Sequence, residues 1–222
     1  MQNLLIIKCS PKHTCSDSYQ LTEHFVEQLL ANSEFWQVDV LDLWREALPV
    51  LDESSVAAKM AKFAQQPLNT EQTLIWDKIE HQFQRFNQAS AVLIALPVWN
   101  FGVPYVLKHY IDTITQPDLC FSWSPEEGYV SLLEPRPVFI FASSAADYRP
   151  GAGNEVNDFC MSYLRRWLTV YMGSEVTAVV NSHTVDVPAT VTLAKQQAYE
   201  QVEHLARKLI ELSDNHKTVP HT

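Results

Sequence analysis

Residues 91–112 read AVLIALPVWNFGVPYVLKHYID. The first seven form a continuous apolar run. A strand with one wet face would alternate, so this run fits a central parallel strand covered on both faces. The chain then turns through Trp99, Asn100, Phe101 and Gly102, and residues 104–114 read as a short helix whose Pro104 suits a first helical turn. The same pattern repeats outward from this stretch. Apolar runs recur at 4–7 (LLII), 137–143 (PVFIFAS) and 176–182 (VTAVVNS), and the run at 36–43 (WQVDVLDL) alternates more, as if one side were less covered. Between them lie helical spacings. Leu21, Phe25 and Leu29, widened by Val26 and Leu30, mark 18–30. Leu74, Ile75, Ile79, Phe83 and Phe86 mark 70–87, with Thr70 as its cap. Val156, Cys160, Tyr163, Trp167 and Tyr171 mark 154–172, and Leu193, Val202, Leu205, Leu209 and Leu212 mark 190–212. Strand and helix alternate five times, which predicts an α/β doubly wound, five-stranded parallel sheet with helices on both faces. Segments 44–69 and 115–135 are left without an element. One domain over 1–214 and a polar, frayed tail over 215–222 complete this reading.

The 222 residues are 46% hydrophobic, enough for a sizeable core, and carry 16 Lys plus Arg against 26 Asp plus Glu, a formal charge of -10. That balance disfavours nucleic acid and anionic membrane as partners. It leaves room for a small phosphorylated ligand, because backbone N–H groups hold phosphate without Lys or Arg. No run approaches the roughly 20 apolar residues of a spanning helix, and the N-terminus does not read as a signal peptide. Cys9, Cys15, Cys120 and Cys160 form no CxxC pair. A cytoplasmic protein with reduced thiols is the expectation.

In an open parallel sheet the ligand sits at the carboxyl ends of the strands, so loops 8–17, 97–103, 143–153 and 182–190 matter most. Loop 8–17, KCSPKHTCSD, leads from the first strand into the first helix. A helix N-terminus there offers free N–H groups and a positive dipole end, and Ser10, Ser16 and Ser18 add hydroxyls. The loop has no glycine, so neither GxGxxG nor GxxxxGK[ST] is present. It therefore suits a terminal phosphomonoester better than a pyrophosphate; a plain cap at Ser16 with the other hydroxyls solvated accounts for the spacing equally well. The turn at Trp99, Asn100 and Phe101 has two readings as well: a wall for a flat aromatic ligand, or a core plug beneath a surface loop.

Other groups carry less. The histidines at 13, 24, 81, 109, 183 and 204 show no metal-ligand spacing, so no metal is expected. His183 reads as a solvated loop residue, with contact to a ligand as its alternative. A phosphatase would need Cys-x5-Arg, but the residue six after Cys9 is Cys15 and the residue six after Cys15 is Leu21. No GxSxG elbow is present.

Two of these loops together resemble the FMN-dependent NADH-azoreductase family, the flavodoxin-like NAD(P)H:quinone and azo reductases of bacterial cytoplasm. The resemblance lies in Ser10 after the first strand, in Ser16-Asp17-Ser18 followed by Gln20-Leu21, in PVWNF at 97–101, and in VPYVLKHYID at 103–112. A weaker match is DLCFSWSPEEGYVSLL at 118–133. It implies a flavodoxin-like fold and tightly bound FMN. The phosphate would lie on Ser10, Ser16, the backbone of Asp17, and Ser18; the isoalloxazine would lie along Val98, Trp99, Asn100 and Phe101, with Ser143 and Ser144 near its pyrimidine edge. It also implies NADH or NADPH as donor, hydride transfer through flavin N5, and a ping-pong exchange with a quinone or azo acceptor. No side-chain acid or base is compelled, and a homodimer with sites near the interface is expected. Phe121, Trp123 and Tyr129 would wall the open flavin face or meet the second subunit, and helix 154–172 is a further interface candidate. Val98 and Trp99 replace the family's usual Met and Tyr but keep an apolar wall. The family usually has Ser-x-Gly-Gly after the fourth strand, where this chain has Ser143-Ser144-Ala145-Ala146, which predicts a reshaped loop, with Gly151 and Gly153 supplying flexibility further on. The rival reading is a flavodoxin-like electron carrier or FMN-binding regulatory module that does not oxidise NADH itself.

Overall fold

The computed structural model describes residues 1–149 and 151–215. Strands β1 (Gln2–Lys8), β2 (Trp36–Asp42), β3 (Ala91–Pro97), β6 (Val138–Ser144) and β7 (Val176–His183) form one parallel sheet in the order β2-β1-β3-β6-β7. The strands at 91–97 and 176–183 sit where the apolar runs put them. Alternating side chains explain why those runs are unbroken. Leu4, Ile6, Ala91, Leu93, Phe139 and Phe141 face helices α1 (Asp17–Asn32) and α6 (Pro188–Asn215). Leu5, Ile7, Val92, Ile94, Val138 and Ile140 face α3 (Thr70–Asn87), α4 (Tyr105–Ile114) and α5 (Phe159–Tyr171). Both faces are covered, as a parallel sheet requires. β2 and β7 are the two edges: β2 leaves Gln37 and Val40 exposed and so alternates, whereas β7, whose run 176–182 read like a central strand, is an edge strand too.

Three elements fall in the segments left without one. α2 (Glu53–Phe63) buries only Ser55 and Ala58, so it lacks a large apolar stripe. β4 (Phe121–Ser124) and β5 (Gly128–Ser131) form a separate antiparallel hairpin. It is anchored by Phe121 and Tyr129, whose rings lie 4.9 and 5.1 Å from that of Tyr171 on α5.

Boundaries shift where caps decide them. Asn69, not Thr70, caps α3: its side chain accepts from Gln72 N at 2.9 Å, and the Gln72 side chain accepts from Asn69 N at 3.0 Å. Pro104 is the N-cap of α4 rather than its first residue. Helix 154–172 begins only at Phe159, because Asp158 accepts from Met161 N and resets the start. Val156 therefore lies in a preceding 3-10 turn and is exposed. Leu74, Leu193 and Leu212 are also exposed rather than core. Asn215, expected in the tail, closes α6, and residues 216–222 of that tail lie outside the described residues. Among the described residues no helix is long and apolar enough to cross a membrane.

Candidate functional site

β2 and β3 flank β1 on opposite sides, so the crossovers out of β1 and β3 diverge above the β1/β3 crevice, the topological switch point at which sheets of this order bind ligands. Loop 9–16 rises from β1 there. Ser16 is the N-cap of α1, yet its hydroxyl makes no capping bond; Ser16 Oγ and Ser18 Oγ lie 3.1 Å apart. Both side chains are withdrawn from solvent, Ser16 at 2% and Ser18 at 0% exposure. That disposes of the plain-cap reading. The N–H groups of Asp17 and Ser18 stand at the start of the helix, where no intrahelical acceptor exists. Asp17 would repel an anion, but Lys195 Nζ holds its carboxylate at 2.9 Å against α6. Ser10 is buried, and its Oγ accepts from Lys12 N at 3.3 Å.

The aromatic turn is a two-residue hairpin loop. Trp99 N donates to Gly102 O at 3.0 Å and Gly102 N returns to Trp99 O at 2.9 Å. The two residues between them, Asn100 (φ 49°) and Phe101 (φ 67°), are left-handed. Such a loop needs positive φ at both central positions. Asn tolerates this; Phe pays about 1–2 kcal/mol. Gly102, the glycine of this turn, is not itself left-handed. Trp99 and Phe101 are 37% and 54% exposed, so they are no core plug. Trp44, from the segment left without an element, stands edge-on to Trp99 (6.2 Å) and Tyr105 (5.4 Å), and its Nε1 donates to Cys9 O at 3.0 Å, tying the turn to the serine loop.

A cavity of about 200 Å³ opens between these loops, lined by Lys12, Ser16, Asp17, Val98, Trp99 and Ser143 together with Pro97, Ser144, Ala145 and Thr184. Of the residues singled out in the sequence, Ser16, Asp17, Val98, Trp99, Ser143 and Ser144 are brought together on its wall. Ser10 and Ser18 lie buried behind it, and Asn100 and Phe101 lie outside it at the tip of the turn. Lys12, the one cation on this wall, and Thr184 were not anticipated. Lys12 and Thr184 both lie within loops that the sheet's geometry had marked, 8–17 and 182–190, but neither residue was singled out there. Val98 N donates to Ser143 O at 2.8 Å, and Thr184 N to Ser144 O at 2.8 Å, so the strand ends are bonded side by side under the cavity. A cavity of about 460 Å³ lies apart from it, between α2, α4 and α5, and one of about 570 Å³ adjoins it, sharing Val98 and reaching past Tyr148 and Arg149 of the third loop to α5, α6 and β7. Neither contains a residue of the serine loop.

The family of flavodoxin-like fold matches residues 2–206. An FMN-dependent NADH:quinone oxidoreductase of Bradyrhizobium diazoefficiens is 32% identical over 93% of this chain and 99% of its own. One from Ruegeria pomeroyi is 36% identical over 81% of this chain and 88% of its own. The chain belongs to this family, the FMN-dependent NADH:quinone oxidoreductases of flavodoxin-like fold. The crystal structure of an FMN-dependent NADH-azoreductase from Bacillus anthracis, in complex with FMN, superposes with a TM-score of 0.84 at 26% identity, covering 94% of this chain and 99% of that one.

This family member's third loop follows β6. Neither Ala145 nor Ala146 has positive φ; the left-handed positions are Gly151 (86°) and Gly153 (83°). The loop is fastened by its own side chains. Ser144 Oγ donates to Ala146 O at 2.6 Å, and Arg149 grips Asp147 at 2.8–3.1 Å. That guanidinium holds the Asp147 carboxyl below its ordinary range, helped by backbone N–H donation and by His183. Glu155 accepts from Gly151 N. His183 is not a solvated loop residue: it closes β7 at 2% exposure. Cys9 is fully buried, and burial pushes its thiol well above the ordinary range, so it offers no thiolate to the loop. Phe121, Trp123 and Tyr129 are absent from the cavity wall: the rings of Phe121 and Tyr129 are turned to Tyr171, and Trp123 is exposed. Among the described residues no group of His, Cys, Asp and Glu has the arrangement of a metal site.

Proposed function

We propose that this chain is an FMN-dependent NADH:quinone oxidoreductase, one domain over residues 1–214 with its cofactor in the cavity above β1 and β3. The observation that carries the reading is the pair of buried hydroxyls at Ser16 and Ser18, unused by the helix they open, with Ser16 on the cavity wall beside Lys12 and Ser18 3.1 Å behind it. These groups fit a phosphomonoester: N–H donors at Asp17 and Ser18, hydroxyls at Ser10, Ser16 and Ser18, and one ammonium. Val98, Trp99, Asn100 and Phe101 fit an aromatic ring system along the turn, with Ser143 and Ser144 at its polar edge. When bound, FMN supplies two-electron chemistry, accepting hydride from NADH or NADPH at N5 and reducing a quinone or azo acceptor.

The chain's own residues bind, orient and exclude water. The rigid hairpin turn keeps Trp99 and Phe101 in place, and the Asp147–Arg149 pair holds the third loop. No side chain on the wall is arranged as an obligatory acid or base, so acceptor protons come from solvent. One cavity serves donor and acceptor in turn, which makes the exchange ping-pong. The same reading includes a homodimer. Exposed Val56, Met60 and Phe63 share a face of α2, and Trp99, Phe101 and Tyr105 surround the turn; a second subunit would cover both. A cytoplasmic setting suits the exposed thiol of Cys15.

The test starts with purified chain plus FMN. It should bind one FMN per chain, and steady-state rates with NADH and a small quinone should give parallel double-reciprocal lines. Folded protein that takes up no flavin refutes the reading; a stable one-electron form with poor NADH oxidation transfers it to the electron-carrier class.

A further inference from the structure

His183 ends β7 beside the third loop at 2% exposure, yet among the described residues neither ring nitrogen has a hydrogen-bond partner. Each nitrogen instead faces a carboxylate: Nδ1 lies 3.9 Å from Asp147 Oδ2 and Nε2 lies 3.7 Å from Asp186 Oδ2. A neutral imidazole carries one N–H and one lone pair. In that form one carboxylate would face a lone pair. The imidazolium alone has a donor for each. Cations on the adjoining loop and on α6, which packs on β7, are already engaged. Arg149 is bound to Asp147, and Lys195 of α6 is bound to Asp17 and Gln20 of α1. β6 contributes Ser144, whose carbonyl accepts from Thr184 N and Oγ1.

The next residue along, Thr184, is on the cofactor-cavity wall, as are Ser144 and Ala145. Asp147 fixes the loop that carries them. We propose that His183 is a positioning residue: its imidazolium clamps Asp147 to Asp186, drawing the 144–149 loop and the 184–186 turn together as the far wall of the cofactor cavity. The ring touches no cofactor atom in this scheme; it acts through Asp147 and Thr184. Loss of its second proton turns one contact repulsive and loosens that wall. FMN binding and ring protonation therefore favour each other, so FMN affinity falls as pH rises through the titration of the ring.

This rests on the FMN reading, and the experiment separates the two. The FMN dissociation constant is measured by fluorescence quenching across pH for the full chain, for His183→Gln and for Asp186→Asn. The wild-type constant should weaken by about tenfold over the titration, the size of one pKa unit of coupling. His183→Gln should flatten that step, leaving only the dependence due to the FMN phosphate. Asp186→Asn, on the exposed side of the ring, removes one carboxylate without touching the buried site and should shrink the step. In parallel, ¹⁵N shifts of the His183 ring in the cofactor-free chain report whether both nitrogens carry protons. A ring that stays a neutral tautomer while the protein is folded, or identical pH profiles for wild type and both variants, overturns the clamp. If neither the wild-type chain nor a variant binds FMN at any pH the cofactor reading falls, and the ring shifts in Asp186→Asn still decide the clamp: a lowered titration midpoint supports it and an unmoved one refutes it.

Discussion

Ser16 and Ser18 sit two residues apart in an otherwise ordinary helix start, and what distinguishes them is where their hydroxyls point. Neither caps the helix; each faces the other at 3.1 Å in a buried position. A phosphate oxygen would accept from both. Removing one hydroxyl by Ser16→Ala or Ser18→Ala should cost about 1.5–3 kcal/mol of FMN affinity, the range for hydrogen bonds to a charged group. Riboflavin, which lacks the phosphate, should bind the variants as it binds wild type. Fluorescence titration of both ligands checks this, and equal losses would put the phosphate elsewhere. These serines were legible because the loop follows its strand directly and a helix start is readable from sequence. Lys12 was passed over in the same ten residues, since backbone N–H groups already sufficed for an anion. Trp44 was out of reach, since it follows the edge strand β2 in a segment without a signal; Thr184 lay in a marked loop, but nothing in its residue type set it apart from its neighbours.

Elements were legible in proportion to how much apolar surface they bury. The central strands are covered on both faces and read as unbroken runs. α2 hides only Ser55 and Ala58, and the β4–β5 hairpin leaves most of its short strands half-exposed, so neither leaves a periodic trace. Ends of elements depend on side-chain bonds that periodicity does not show, as Asn69 and Asp158 demonstrate. The end of α3 is a further case. Arg136, just before β6, donates from Nη1 to the carbonyls of Phe86, Asn87 and Ala89 at 2.7, 2.6 and 3.0 Å. It closes the helix from outside the helix. Arg136→Met keeps the stem and leaves those carbonyls unpaired, so urea unfolding should show a loss of about 2–3 kcal/mol. A loss below a few tenths would mean that water replaces the guanidinium fully.

At the scale of the molecule, three of the four thiols are core residues. Burial raises Cys120 and Cys160 to about 12 and Cys9 well above 9.0. The sign follows from linkage: the unfolded chain releases these protons at a lower pH than the folded one, so their contribution is full below the ordinary thiol range and is lost as pH rises through the folded values. Urea midpoints should therefore hold near neutral pH and fall steadily above about pH 9. A midpoint unchanged between about pH 8 and 11 would contradict the burial of these groups. A thiol reagent should label Cys15 in the native state and the others only on unfolding. The bond from Val98 N to Ser143 O has a different kind of consequence. It continues the β3–β6 ladder past the strands into the cavity wall, so the floor of the site belongs to the most slowly opening part of the protein. In deuterium exchange the Val98 amide should be protected with or without FMN. The amides of Asp17 and Ser18 should exchange freely until the cofactor arrives. Ligand entry then leaves the sheet unmoved, and exchange of one flavin for another is paced by the loops above it.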